Sequence, residues 1–178
     1  MKAEGYFSTT FDSLSLLAEL PSFKFDDNTF ENINILLDAN EEDTELVLGV
    51  LNTYLKQGQK LPAYSLFADA HGDNIGFNLT INDEKDEAYN LLVNGSLQVL
   101  ENKIFELSFL PSNLTLLGQQ WEVTDGNSIR FGRDFVEIEN FALTNGQQNV
   151  RFDNNGRKGI NVSLEHFDLE EILSLIHI

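Results

Sequence analysis

Apolar and polar residues alternate one for one along most of this chain, and a half-buried β-strand is the structure that turns such alternation into one apolar face. Ile75, Phe77, Leu79 and Ile81 alternate with Asn74, Gly76, Asn78 and Thr80. Leu91, Val93, Leu97 and Val99 keep one phase through Gly95, which marks either a bend or a bulge. Phe105, Leu107 and Phe109 oppose Glu106 and Ser108. Leu114 with Leu116, Trp121 with Val123, Ile129 with Phe131, Val136 with Ile138, and Val150 with Phe152 continue the series. Ile160, Val162 and Leu164 complete it, and Ile33, Ile35 and Leu37 obey the same rule upstream.

Turn chemistry separates these runs. Asp125-Gly126, Asn145-Gly146 and Asn155-Gly156 are hairpin dipeptides, and Glu101-Asn102-Lys103 reads as a tight turn. The acidic clusters Glu41-Glu42-Asp43 and Asp83-Glu84-Lys85-Asp86-Glu87 read as solvated loop tips. Connections this short force antiparallel pairing, because a parallel crossover needs a dozen or more residues. The expected fold is all-β: a curved antiparallel meander of about 12–14 strands forming a half-barrel or taco-like groove. Residues 44–56 fit a helical stripe and a strand alike, and the β-rich neighbourhood favours strand. A short amphipathic C-terminal helix is expected from Asp168, with Glu171 three residues on and Leu169, Ile172, Leu173 and Ile176 on one side. Leu20-Pro21-Ser22 and Leu110-Pro111-Ser112 echo each other, as an internal repeat or a coincidence would. Without a long linker or low-complexity stretch, residues 1–178 read as one segment.

Charge narrows the function. With 11 basic against 29 acidic residues the formal charge is −18, a surface that repels nucleic acid and anionic headgroups. Cysteine is absent, which removes disulfides, thiolate zinc sites and cysteine nucleophiles. The N-terminus turns polar at once, and no apolar run is long enough to cross a bilayer. An excised fragment of a longer protein is the expectation favoured over a cytoplasmic protein.

Catalytic patterns are missing. No Walker loop, dinucleotide fingerprint or Gly-x-Ser-x-Gly elbow occurs. His71, His166 and His177 stand apart from one another, and no acidic loop has EF-hand spacing. The carboxylates gather at loop tips, so a glycosidase pair is the weakest reading. Arg130, Arg133, Arg151, Arg157 and Lys158 would make a modest anion patch, but cross-strand pairing with Glu137, Glu139 or Asp153 accounts for them more simply. The Asn-x-Ser/Thr sequons at Asn78, Asn94, Asn113 and Asn161 read as ordinary β composition, and Trp121, at the start of a strand, gives little support for a sugar platform.

From Phe105 the chain reads FELSFLPSNLTLLGQQWEV, then DGNSIRFG and VEIENFALTNGQQNV, then INVSLEHFDLEEI ending at Ile172. A strand, a Pro-Ser step, a Gly shortly before Trp121, a strand ending near Asn140-Phe141 and the Phe167-Asp168-Leu169 step into a short helix form the signature. This stretch resembles the TamB branch of the AsmA-like envelope proteins of diderm bacteria. The resemblance implies a long β-groove, apolar inside and polar outside, in a periplasmic protein with an inner-membrane anchor. Such proteins carry phospholipids towards the outer membrane, and the TamB branch partners an Omp85-type barrel. This chain shows neither the anchor nor the barrel-contacting end, so barrel contact is expected of the parent protein.

The function expected is therefore non-enzymatic and needs no cofactor or metal: a groove segment for phospholipid acyl chains. Its lining would be Phe77, Leu79, Leu91, Val93, Phe105, Leu107, Phe109, Leu114, Leu116, Trp121, Val123, Ile129, Phe131, Val136, Ile138, Val150, Phe152, Ile160, Val162 and Leu164. Such a face in isolation would favour self-association. The rival is a closed β-sandwich acting as a structural or adhesive module.

Overall fold

Hairpin chemistry decides the path of the chain. In the computed structural model, which describes residues 2–56, 58–82, 89–116 and 118–167, left-handed residues reverse direction between paired strands. Asp12 (φ 40°), Asp26 (51°), Gly72 (59°), Asn102 (61°), Gly146 (85°) and Gly156 (70°) occupy such turns, where small or amide side chains tolerate positive φ. The strands are β1 (Lys2–Ser8), β2 (Ser13–Phe25), β3 (Asn28–Ala39), β4 (Asp43–Tyr54), β5 (Lys60–Leu61), β6 (Ala63–His71), β7 (Asn74–Asn82) and β8 (Tyr89–Leu100). They continue as β9 (Ile104–Phe109), β10 (Asn113–Leu116), β11 (Gln119–Val123), β12 (Ser128–Phe131), β13 (Val136–Glu139), β14 (Phe141–Thr144), β15 (Asn149–Asn155) and β16 (Gly159–Glu165). Every pairing is antiparallel, and all sixteen strands belong to one open sheet with β1 and β16 at its edges.

Within 44–56 the chain is strand as far as Tyr54, where β4 ends, and β4 pairs on both sides; Leu55 and Lys56 lie beyond it. The helix expected from Asp168 lies outside the described residues, as does the loop tip 83–87. A closed sandwich would need a second sheet facing the first, and the described strands form only one.

Several strands are pieces of one interrupted strand. β8 pairs with both β9 and β10 along one side, β9 pairs onward with β12, and β10 with β11. β12 then meets β13, and β11 meets β14. Likewise β4 pairs with β5 and β6 on either side of Pro62. The sheet thus has twelve rungs in chain order, about 50 Å across at ordinary strand spacing. Two corrections to the sequence reading follow. Asp125-Gly126 is not a hairpin, because β11 and β12 do not pair with each other and the dipeptide sits in the break between them. Gly95 is neither bend nor bulge: it is paired in register with Phe77 and with Phe109.

The breaks align into two creases, both of which carry proline. Across β2 to β6 the first passes through Pro21, Asn32 (φ 54°) and Pro62; the regular pairing of β2 with β3 skips the step between Leu20–Ile33 and Ser22–Glu31. The second runs through residues 110–112, 124–127 and 140. All three prolines, Pro21, Pro62 and Pro111, therefore lie where the ladder is interrupted and a missing N–H costs least.

Polar side chains replace the missing backbone ladder along the second crease. Asn127, 4% exposed, accepts from Phe109 N (2.9 Å) and donates to the carbonyls of Phe109 (2.8 Å) and Thr124 (2.7 Å). Its amide thus stands in for a peptide group of the adjacent strand. Asn154 does the same for β13, accepting from Ile138 N (2.8 Å) and donating to Val136 O (2.5 Å). Asn94 N donates to Ser112 Oγ (3.0 Å), and Asn140 donates to Asp125 O (2.7 Å). Unpaired backbone groups would be costly here, so the amides keep the crease from opening.

The crease also resets the pleat. Phe105, Leu107 and Phe109 are odd-numbered, whereas Leu114 beyond the break is even, yet the register puts all four on one face. The same change of phase separates Val136 and Ile138 from Phe141 and Leu143, across Asn140 at φ 50°. At each break the two facing stretches differ by one residue, as at a bulge: 110–112 face 93–94, and 140–142 face 124–127.

Candidate functional site

Cross-strand partners share a face, so the register can be followed from rung to rung. Starting from Leu91, Val93, Leu97 and Val99 on β8, one side leads to Ile81, Leu79, Phe77 and Ile75 on β7. It continues through Tyr64, Leu66 and Ala68 on β6, Val50, Leu48 and Leu46 on β4, Ile33, Ile35 and Leu37 on β3, and Leu20, Ala18, Leu16 and Leu14 on β2. The other side leads through Phe105, Leu107 and Phe109 to Ile129 and Phe131, and then to Ile138 and Val136. Beyond the crease, Leu91 leads to Leu114 and Trp121, Val123 to Leu143, and Phe141 with Leu143 to Phe152 and Val150. Phe152, Val150 and Asn154 pair with Val162, Leu164 and Ile160 at the edge.

Of the residues expected to line a groove, the register puts all but Leu116 on this one face; for Leu116 it gives only the backbone pairing to Gln119. The sequence reading missed as much again. The same face carries Ile75, Ile81, Leu97, Val99, Phe141 and Leu143, and the whole run from β2 to β6. Alternation was visible at Ile33, Ile35 and Leu37, but Leu16-Leu17 and Leu36-Leu37 blur the phase. Phe141 and Leu143 escaped because their phase changes at Asn140.

The opposite face holds the charge. Glu4, Glu19, Asp38, Glu45, Asp69, Glu106, Glu122, Glu137, Asp153 and Glu165 occupy the alternate register positions. One row departs from this polarity: Leu17, Leu36, Val47 and Phe67 are paired in succession and 38–40% exposed. Of the basic residues, Arg130 is paired across strands as expected, Arg151 within its own strand, and Lys158 with a loop residue. Arg130 Nε lies 3.0 Å from Glu106 and its Nη1 lies 3.9 Å from Glu137, Arg151 meets Asp153 at 3.1 Å, and Lys158 meets Asp134 at 2.9 Å. All four sequon asparagines lie in strands, and Asn78 donates to Asn94 (2.6 Å). Among the described residues no three His, Asp or Glu side chains converge as a metal set.

Aromatic rings cross the apolar face. Phe77 meets Phe109 edge-on at 6.3 Å, Phe109 stacks on Phe141 at 5.1 Å, and Phe141 lies 4.9 Å from Phe152. Phe105 stacks on Phe131 at 5.4 Å. Gly95 sits between Phe77 and Phe109 and leaves room for them; a Cβ there would strike the Phe77 ring and come within 2.7 Å of Ser108 O. Gly95→Ala is expected to lower stability by about 1–3 kcal/mol through overpacking, whereas Gly49→Ala, with nothing within 4 Å, is neutral or better in the same thermal melts.

Most of this face is half-buried, and exposure rises at its edges: Phe7 at 66%, Ile160 at 51% and Val162 at 56%. The accessible surface totals 12284 Å² for 20.1 kDa, against about 8,700 Å² for a compact monomer of that mass. Trp121 is one of five exceptions, with Ala18, Ile33, Val50 and Leu114. It is the middle residue of β11 rather than its start, is 7% exposed, and is stacked under Phe167 at 5.9 Å and 17°.

At one rim His71 Nδ1 lies 2.6 Å from Asp43, whose hydrogen bond and charge raise the histidine pKa above its ordinary 6.5. Because the folded value is raised, the pair stabilises the fold below pH 6.5, and the contribution disappears as pH rises through the raised value. The group is fully exposed, so the effect on stability is small. An NMR titration is expected to find His71 titrating above 6.5 and Asp43→Asn returning it towards that value.

Comparison of the chain with protein-family models, with curated proteins and with solved structures finds no match.

Proposed function

We propose that this chain is a non-enzymatic segment of a longer periplasmic protein whose curved apolar sheet face carries phospholipid acyl chains towards the outer membrane. One observation carries the reading: an uncharged face, continuous over the rungs from β2 to β16, in a single open sheet whose other face holds the strand charges. An acyl chain needs only such a surface, since each methylene removed from water contributes about 0.8 kcal/mol without a directional partner. Headgroups would stay at the rim, in water and away from the acidic face. The resemblance of Phe105–Ile172 to the TamB branch of AsmA-like proteins supports the same reading. By that resemblance, the anchor and the Omp85-type barrel partner would belong to the parent protein. Twelve rungs, about 50 Å, would be one stretch of such a path.

Native mass spectrometry of the purified chain is expected to show adducts of phospholipid mass, and a dansyl-labelled fatty acid is expected to bind. A chain that carries no lipid and takes up none from phospholipid vesicles would end the proposal.

A further inference from the structure

The face that carries the strand charges also has an apolar row that its own sheet leaves uncovered. Leu17 on β2, Leu36 on β3, Val47 on β4 and Phe67 on β6 are register partners in succession, each 38–40% exposed. Two residues along each strand, a second row runs beside the first: Asp38, Glu45 and Asp69, again partners in succession and exposed. Like charges directly opposite one another destabilise a sheet, so this row costs the free protein stability. Among the described residues none of the three carboxylates meets a Lys, Arg or His side chain, whereas Glu4, Glu106, Glu137 and Asp153 on the same face each do. Both rows stop at β7, where Gly76 and Asn78 take the next places. The other flank of the apolar row, Asn34, Gly49 and Ser65, is uncharged, and a shallow depression of about 320 Å³ opens beside it.

We propose that these two rows dock a partner protein through a basic amphipathic helix, its apolar residues on Leu17, Leu36, Val47 and Phe67 and its Lys or Arg residues on Asp38, Glu45 and Asp69. The site lies on the face opposite the proposed acyl surface and does not depend on that reading. Charge complementarity selects the occupant. A second copy would bring a formal charge of −18 to a surface that is already acidic, and an anionic membrane is repelled for the same reason. A cationic segment instead relieves the repulsion within the row, while its apolar side covers the uncovered side chains. The dimensions agree. The four apolar partners cross three rung spacings, about 14 Å, which about ten helical residues match in length. The rows lie two residues apart along each strand, about 7 Å, inside the width of about 10–12 Å of a helix with its side chains.

The test uses the full chain and a fluorescent helical peptide of leucine and lysine, with a leucine–glutamate peptide of the same pattern beside it. Only the lysine peptide is expected to bind. Asp38→Asn, Glu45→Gln and Asp69→Asn together should weaken it about tenfold while raising the melting temperature of the free chain. Glu137→Gln, Glu139→Gln and Asp153→Asn remove the same charge from a distant part of that face and should change binding by less than about twofold. Val47→Thr with Phe67→Thr keeps strand-forming residues at exposed positions, so the sheet stays intact by far-UV circular dichroism, and should weaken binding about tenfold or more. No binding of the lysine peptide, equal weakening by the two charge triples, or no effect of Val47→Thr with Phe67→Thr would each overturn the proposal. So would a lower melting temperature in the Asp38, Glu45 and Asp69 variant, since the carboxylates would then serve the fold itself. A dimer, or binding to phosphatidylcholine vesicles, that Val47→Thr with Phe67→Thr abolishes would make a second copy or a membrane the occupant and overturn it as well.

Discussion

Asn127→Ala is expected to destabilise the protein by about 3 kcal/mol, because it removes three hydrogen bonds and leaves backbone groups of Phe109 and Thr124 unpaired where the replaced side chain was 4% exposed. Each stranded group costs about 1–3 kcal/mol, and partial access of water to the crease keeps the sum at the lower end. For a chain of this size that is a fall in Tm of roughly 6–12 °C. Asn127→Asp is no remedy. Its carboxylate accepts from Phe109 N–H but cannot donate, and it faces two carbonyl oxygens. Asn161→Ala, at an exposed position of the edge strand β16, is the control and is expected to stay within about 0.5 kcal/mol. Equal melting of the Asn127 and Asn161 variants would mean that the crease amides do not hold the two halves of each rung together.

The second large effect concerns the face itself. Phe109→Asp is expected to weaken dansyl fatty acid binding at least about a hundredfold, since lost apolar contact and a carboxylate under a hydrocarbon tail together cost about 3 kcal/mol or more. Folding should survive. Phe109 is half-buried, so the new carboxylate stays hydrated in the unliganded chain, and the loss is limited to the Phe77 and Phe141 ring contacts, about 0.5–1.5 kcal/mol each beyond area. Ser108→Asp, one residue away on the polar face, should leave binding unchanged. Global unfolding of Phe109→Asp would instead show that this side chain belongs to a sealed core. Equal loss of binding in Ser108→Asp would show that binding has no sidedness.

How much of this was legible beforehand depends on the scale of the feature. Alternation such as Ile75-Gly76-Phe77-Asn78-Leu79 has the period of a strand, and Asn145-Gly146 and Asn155-Gly156 supply the φ a hairpin demands, so the all-β antiparallel meander could be read directly. Side-chain phase is a local property, and within each run it grouped the residues that share a face. It could not follow them across Asn140 or Pro111-Ser112, where a one-residue difference between facing stretches changes parity while the face stays the same. For the same reason Asp125-Gly126 resembled a hairpin. The dipeptide chemistry is identical in a turn and in a crease, and only the partners of β11 and β12 tell them apart. The roles of Asn127 and Asn154 had no sequence signal, because an amide replacing a peptide group is defined by the strand it faces. Gly95 was ambiguous until Phe77 and Phe109 were found on either side of it.

By itself, then, the sequence determined the period, the turns and the segregation of charge from apolar side chains, all set by residues close along the chain. Whether those apolar runs faced a second sheet or joined into one open surface was decided only by tertiary structure. That outcome depends on which strands pair across breaks and turns, and short-range periodicity carries no information about it.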